Sequence, residues 1–166
     1  MSKINTFILQ GKESFSISKL EQLNLDFNIS NNKNSKISSN EIYIIAADDE
    51  DLDLDQLKNI LAADISDDSF SFIVGPRSGT ISPWSTKTED IIKNVGIKNI
   101  QRVEKFNTFT ISDFSSTQNM DLSMFYDRMT QSIYLNHNEC LDFLKVDAQR
   151  DVNLIDILSN GIKALQ

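Results

Sequence analysis

Apolar residues along the chain fall into short runs, and the runs alternate between a strand-like and a helix-like period. Residues 6–9 read as a short strand cut by Gln10-Gly11. A helix follows, with Ser18 and Glu21 spaced as a capping box and Ile17, Leu20 and Leu23 lining one face. Residues 28–40 are rich in Asn, Ser and Lys and read as a surface loop. The β-branched run of residues 42–47 predicts a central strand buried on both faces. Asp53 then caps a second helix, whose stripe is Leu54, Leu57 and Leu61. Residues 70–74 form another strand. Residues 91–95 form a helix headed by a Thr86–Glu89 capping box, with Ile91, Ile92 and Val95 inward and Gly96 as its C′ residue. Residues 100–104 and 109–111 predict two strands joined by a turn near Lys105-Phe106-Asn107, and residues 115–119 a linker. Leu122, Phe125, Tyr126, Met129 and Ile133 recur as one face of an amphipathic helix. Residues 152–155 suggest a last strand, and a helix from residue 157 runs to the end without a stop signal.

Strand, helix, strand, helix is followed by strand, helix, two strands, helix. The order is that of a loose internal duplication. It predicts an α+β fold: tandem ferredoxin-like halves, with helices on one face of a largely antiparallel sheet. The halves span about 1–65 and 66–145 of one domain. Residues 146–166 read as the start of a linker, and the unterminated last helix suggests a piece of something longer.

Charge and composition narrow the functional classes. At 166 residues and net charge −8 the chain can bury a core, and its acidity argues against nucleic acid and against an anionic membrane. One cysteine, Cys140, cannot form an internal disulfide, which fits a reducing compartment. No apolar run has the length of a membrane span, and residues 1–5 open no signal peptide. A cytoplasmic location follows as the expectation.

Candidate chemistry is sparse. Asp51, Asp53 and Asp55 have the first spacings of a calcium loop, but Gln56 stands where Gly is needed and Ala62 where a bidentate Glu should close the cage. His137 and Cys140 are too few for a zinc site, and no nucleophile elbow surrounds Cys140. The acidic residues show no pair set apart in apolar surroundings for acid/base work. What stands out is residues 75–91, which hold both prolines, the only tryptophan and two of the five glycines. The segment lacks the P-loop ending. Two uses are open to it. Arg77, Lys87, Thr80, Ser82 and Ser85 could gather an anion at a helix N-terminus. Alternatively, Pro83 and Trp84 could give it a rigid structural or docking role.

Arg77-Ser78-Gly79-Thr80-Ile81-Ser82-Pro83-Trp84-Ser85-Thr86-Lys87, with Asp90-Ile91 and Asn94-Val95-Gly96 behind it, closely resembles a signature of the large, single-chain phosphoribosylformylglycinamidine synthases. Arg102-Val103-Glu104 and Asp127-Arg128-Met129-Thr130 resemble two further motifs of that family, and the resemblance extends over nearly the whole chain. Thr86, Thr88 and Glu89 depart from it, and Lys105-Phe106 stands where the family has arginine-glycine. The resemblance implies the N-terminal, non-catalytic domain of an ATP- and glutamine-dependent ligase of purine biosynthesis, similar to a dimer of the small purine-synthesis subunit. It implies that ATP, Mg²⁺ and the glutaminase nucleophile belong to other regions of the polypeptide. It also implies that Arg77, Gly79, Thr80, Ser82, Pro83, Trp84, Ser85 and Lys87 form a domain-interface or substrate-proximal loop. The partners implied are the synthetase and glutaminase regions. The rival expectation is a free-standing tandem β-α-β module that binds a small ligand or a protein.

Overall fold

A computed structural model describes residues 4–48, 52–65, 69–114 and 120–141. In chain order the elements are β1 (Asn5–Glu13), α1 (Ile17–Asn31), β2 (Ile37–Ala47), α2 (Leu54–Leu61), β3 (Asp64–Ile65) and β4 (Phe72–Pro76). Then follow α3 (Pro83–Asn94), β5 (Ile100–Ile111), a 3₁₀ turn (Ser123–Phe125), β6 (Gln131–Tyr134) and α4 (His137–Cys140). One six-stranded sheet runs β3-β1-β2-β5-β4-β6, and every neighbouring pair is antiparallel.

That order is the duplication made visible. Each half is an edge strand, its first strand and a long inner strand, and the two long strands meet at the centre. β2 and β5 pair from Ile37 opposite Ile111 to Ala47 opposite Ile100. The alternation of the sheet sorts side chains onto two faces. On one face Leu9, Tyr43, Ile45 and Val103 pack with Leu57 and Leu61 of α2 and Ile92 of α3. On that same face Phe72, Val74, Phe109 and Ile111 pack with Leu23 and Phe27 of α1 and with Leu122 and Phe125. Thus α1 of the first half covers strands of the second, and α3 of the second covers strands of the first. The α+β reading with tandem ferredoxin-like halves holds. The opposite face carries Ile42, Ile44, Ile73, Phe106 and Tyr134, packed with Cys140 of α4.

Several local expectations are corrected by tertiary contacts. The amphipathic helix across residues 122–133 does not form. Leu122 and Phe125 are buried beneath α1, but Met129 is 80% exposed. Residues 131–134 pair instead with β4, Gln131 opposite Pro76 and Tyr134 opposite Ile73. No turn interrupts β5 either. Lys105, Phe106 and Asn107 lie opposite Tyr43, Ile42 and Glu41, because the long partner strand continues there. The expected loop over residues 28–40 shrinks to 32–36, where Asn28 bonds both the N–H and the carbonyl of Ser35. The Asn28 side chain thereby closes the turn. β1 likewise runs past Gln10-Gly11 to Glu13, through an irregularity in register.

Helix starts were also shifted. Ser16 caps α1 in place of Ser18, and Ile17 is exposed. Ser82 caps α3 in place of Thr86, with Pro83 in the first turn. Ser85, Thr88 and Ile92 face inward from α3, whereas Ile91 and Val95 are exposed. Two end signals were right. Asp53 accepts from the Gln56 N–H, and Gly96 adopts φ 97° after α3. The readings at residues 115–119, 146–166 and Asp51 lie outside the described residues.

Candidate functional site

β4 is five residues long and its neighbour β5 twelve, so the part of β5 around residues 102–105 outruns its partner. Backbone groups on such an edge must find other partners. The segment from Arg77 into α3 supplies them. Ser85, fully buried, donates its hydroxyl to the Val103 carbonyl at 2.5 Å. The Lys105 N–H is taken by the carboxylate of Glu104, itself fully buried, at 3.2 Å. That carboxylate also accepts from the Ser82 hydroxyl at 2.5 Å and the Ser82 N–H at 3.3 Å. Arg102 completes the arrangement. Its Nη2 donates to Glu104 at 3.2 Å and to the Thr80 carbonyl at 2.6 Å. A charge pair on one strand thereby holds the backbone of the facing segment at two points.

The same geometry decides against an anion cradle at the start of α3. Ser82 N–H is bonded to Glu104, Pro83 has no N–H, Ser85 N–H is bonded to the Ser82 hydroxyl and Thr86 N–H to the Ser82 carbonyl. A protein carboxylate already sits where the helix dipole favours negative charge. Ser82 and Ser85 are turned inward. The Thr80 hydroxyl donates to the Arg77 carbonyl within a turn that Thr80 N–H also closes. Gly79 sits in that turn at φ 78°, a region that favours glycine.

Trp84 also serves the interior. Its ring stacks on Tyr43 at 5.5 Å between centroids and 13° between planes, with Lys105 Nζ 5.8 Å from the ring. Tyr43 donates to Glu41 at 2.7 Å, and Lys105 pairs with Glu41 at 3.3 Å. Burial, then the Glu41 contact, push the Tyr43 hydroxyl well above its ordinary range. Only Arg77 and Lys87 of the eight singled-out residues direct charge outward. Both are exposed.

Residues missed in the sequence complete the surface. The pairing of β4 with β6 brings residues 127–131 beside the Arg77 segment, and Arg77 N–H donates to the Thr130 carbonyl at 3.2 Å. Asp127 closes that turn, accepting from the Met129 N–H at 2.8 Å and the Thr130 hydroxyl at 2.9 Å. Those bonds, the Met129 N–H first, hold the Asp127 carboxyl below the usual range. Between the two segments lies a groove of about 390 Å³ lined by Pro76, Ile81, Pro83 and Met129, with Thr80, Ser82, Thr130 and Gln131. Ile81 is 58% exposed. The helical expectation for residues 122–133 concealed the groove, although the Asp127-Arg128-Met129 motif marked it.

Cys140 and His137 lie on the other side of the sheet. Cys140 is buried, and burial together with Glu139 pushes its thiol up to about 12, far from a reactive thiolate. His137 opens α4, its ring 4.9 Å from that of Phe70. Among the described residues no three His, Cys, Asp or Glu side chains group to hold a metal, and no helix is long and apolar enough to cross a membrane.

Comparison with known families agrees with the motifs. Residues 40–143, more than half of the chain, match the family described as formylglycinamide ribonucleotide amidotransferase N-terminal. The match begins inside β2 and takes in the Arg77 segment, the Arg102–Glu104 pair and the Asp127 turn. This chain therefore belongs to the formylglycinamide ribonucleotide amidotransferase N-terminal family, whose members are part of an enzyme of purine biosynthesis.

Proposed function

We propose that this domain is the non-catalytic, N-terminal part of a phosphoribosylformylglycinamidine synthase. That ligase uses ATP and glutamine to convert formylglycinamide ribonucleotide into formylglycinamidine ribonucleotide, in the cytoplasm. The domain docks the synthetase and glutaminase regions of the same polypeptide in register, so that ammonia passes between them without loss to water. ATP and Mg²⁺ are held by those other regions.

The observation that carries this reading is the contrast between the two sides of the Arg77–Lys87 segment. Its Ser82 and Ser85 hydroxyls and its tryptophan are engaged with β5 and the core, while its two cations point outward from an acidic domain. A segment fixed from behind and charged in front suits contact with another surface better than turnover of a substrate.

The test is Arg77→Ala combined with Lys87→Ala in the full-length enzyme. The glutamine-dependent rate should fall several-fold while the rate with added ammonia stays near that of the parent. Rates unchanged in both assays would sink the docking role, and equal loss in both would assign the segment to substrate binding instead. Trp84→Ala is unsuited to this test, since it would remove a stacking partner of Tyr43 from the domain's own core.

A further inference from the structure

Three stretches far apart in sequence, at residues 77–87, 102–104 and 127–130, carry the family likeness, and the fold brings all three to one place. The first and third form the walls of the Pro76–Ile81–Pro83–Met129 groove. The second is the buried Arg102–Glu104 pair that pins the first wall at Thr80 and Ser82. The second wall, from the third stretch, is fixed by Asp127, which takes the Met129 N–H and leaves the Met129 side chain 80% exposed. Two large apolar side chains, Ile81 and Met129, are thus held in solvent, the first by a buried ion pair and the second by the exposed Asp127 turn. Ordinary exposed apolar residues need no such support.

Charge says what the groove would accept. None of its lining residues is a carboxylate, in a chain of net charge −8. Arg77 adjoins it through the Thr130 backbone bond. Among the described residues no carboxylate forms an ion pair with Arg77. Of the acidic groups nearby, Glu104 is buried with Arg102, and the exposed Asp127 holds the Met129 N–H and the Thr130 hydroxyl. The groove is therefore largely apolar, with the exposed Arg77 at its rim.

We infer that this groove is the seat of one apolar segment, bearing a carboxylate for Arg77, from another region of the same polypeptide. The inference rests on the docking reading above and names the surface and the chemistry of its occupant. Met129 and Ile81 supply the desolvated contact, and Arg77 supplies register and orientation. Asp127 and the Arg102–Glu104 pair position these groups before the partner arrives, which lowers the ordering cost of docking.

The experiment places a photo-reactive p-benzoylphenylalanine at position 129 of the full-length enzyme and, as a control, at the equally exposed Ile29 on α1. Irradiation followed by peptide mapping should link position 129, and not position 29, to an apolar peptide of the same chain that contains Asp or Glu. Ile81→Asp should reduce that cross-link about tenfold, as loss of a central contact would. Its thermal midpoint should stay unchanged, because the side chain is outside the core. Cross-links to a second copy of the chain, to a peptide without carboxylates, or equally from position 29 would overturn the inference. The docking reading fails separately. Rates unchanged by the Arg77 and Lys87 substitutions defeat it even if the position-129 cross-link forms. Selective loss of the glutamine-dependent rate without a cross-link defeats only the groove.

Discussion

Glu104 shows how much one side chain can decide. It is fully buried, and its carboxylate meets four donors: the Ser82 hydroxyl, the Ser82 and Lys105 N–H groups and Arg102. A buried charge persists only where partners replace its water. Removing one member of such a pair leaves the other uncompensated, at a cost of about 3–5 kcal/mol. Glu104→Ala should therefore lower the unfolding free energy by about that amount, measured by urea denaturation of the domain. The Ser82 and Ser85 hydroxyls, candidates for a ligand from the sequence, are spent on this carboxylate and on Val103. Spacing could not reveal that, because the acceptors lie about twenty residues downstream.

At the scale of elements, β4 and β5 are matched by size. A Cβ on Gly75 would stand 1.9 Å from the Phe106 ring, far inside contact distance. Phe106 occupies the position where the resembling family has glycine, so here the small residue has its bulky partner on the neighbouring strand. Gly75→Ala should destabilise the domain by about 1–3 kcal/mol, as overpacking does. Phe106→Ala relieves that clash but costs its own core burial, so the losses of the two substitutions should be less than additive, and thermal melts of the single and double variants measure the coupling. The missed helix across residues 122–133 belongs to this scale too. Its apolar spacing suited a helix, but strand pairing with β4 satisfied the backbone of residues 131–134 instead.

At the scale of the whole molecule, stability should be highest along the central seam. β2 and β5 pair over their full length, and both have partners on each side. The crossed placement of α1 and α3 ties the two units together, while α2 covers first-half strands and Leu122 and Phe125 second-half strands, so the halves share one core. Hydrogen exchange should be slowest at residues 42–47 and 103–109. It should be faster at β3 and β6, the sheet edges. Equal protection at edge and centre, read by mass spectrometry, would contradict this picture.

Local order and the family signature were legible in the chain itself. The period of the central strand, the Asp53 cap, the Gly96 stop and the duplicated element order all rest on interactions within a few residues, or on burial that leaves a mark on composition. The Arg77 segment stood out for the same reason, since prolines, glycines and the tryptophan constrain backbone locally. Only the tertiary structure decided what that segment does with its groups. It turned Ser82, Trp84 and Ser85 inward, filled the start of α3 with Glu104 and set Met129 beside Ile81. Those outcomes depend on which strand runs past its partner and which distant segment fills the edge. No local spacing encodes that choice, because the partners are brought together by sheet register alone.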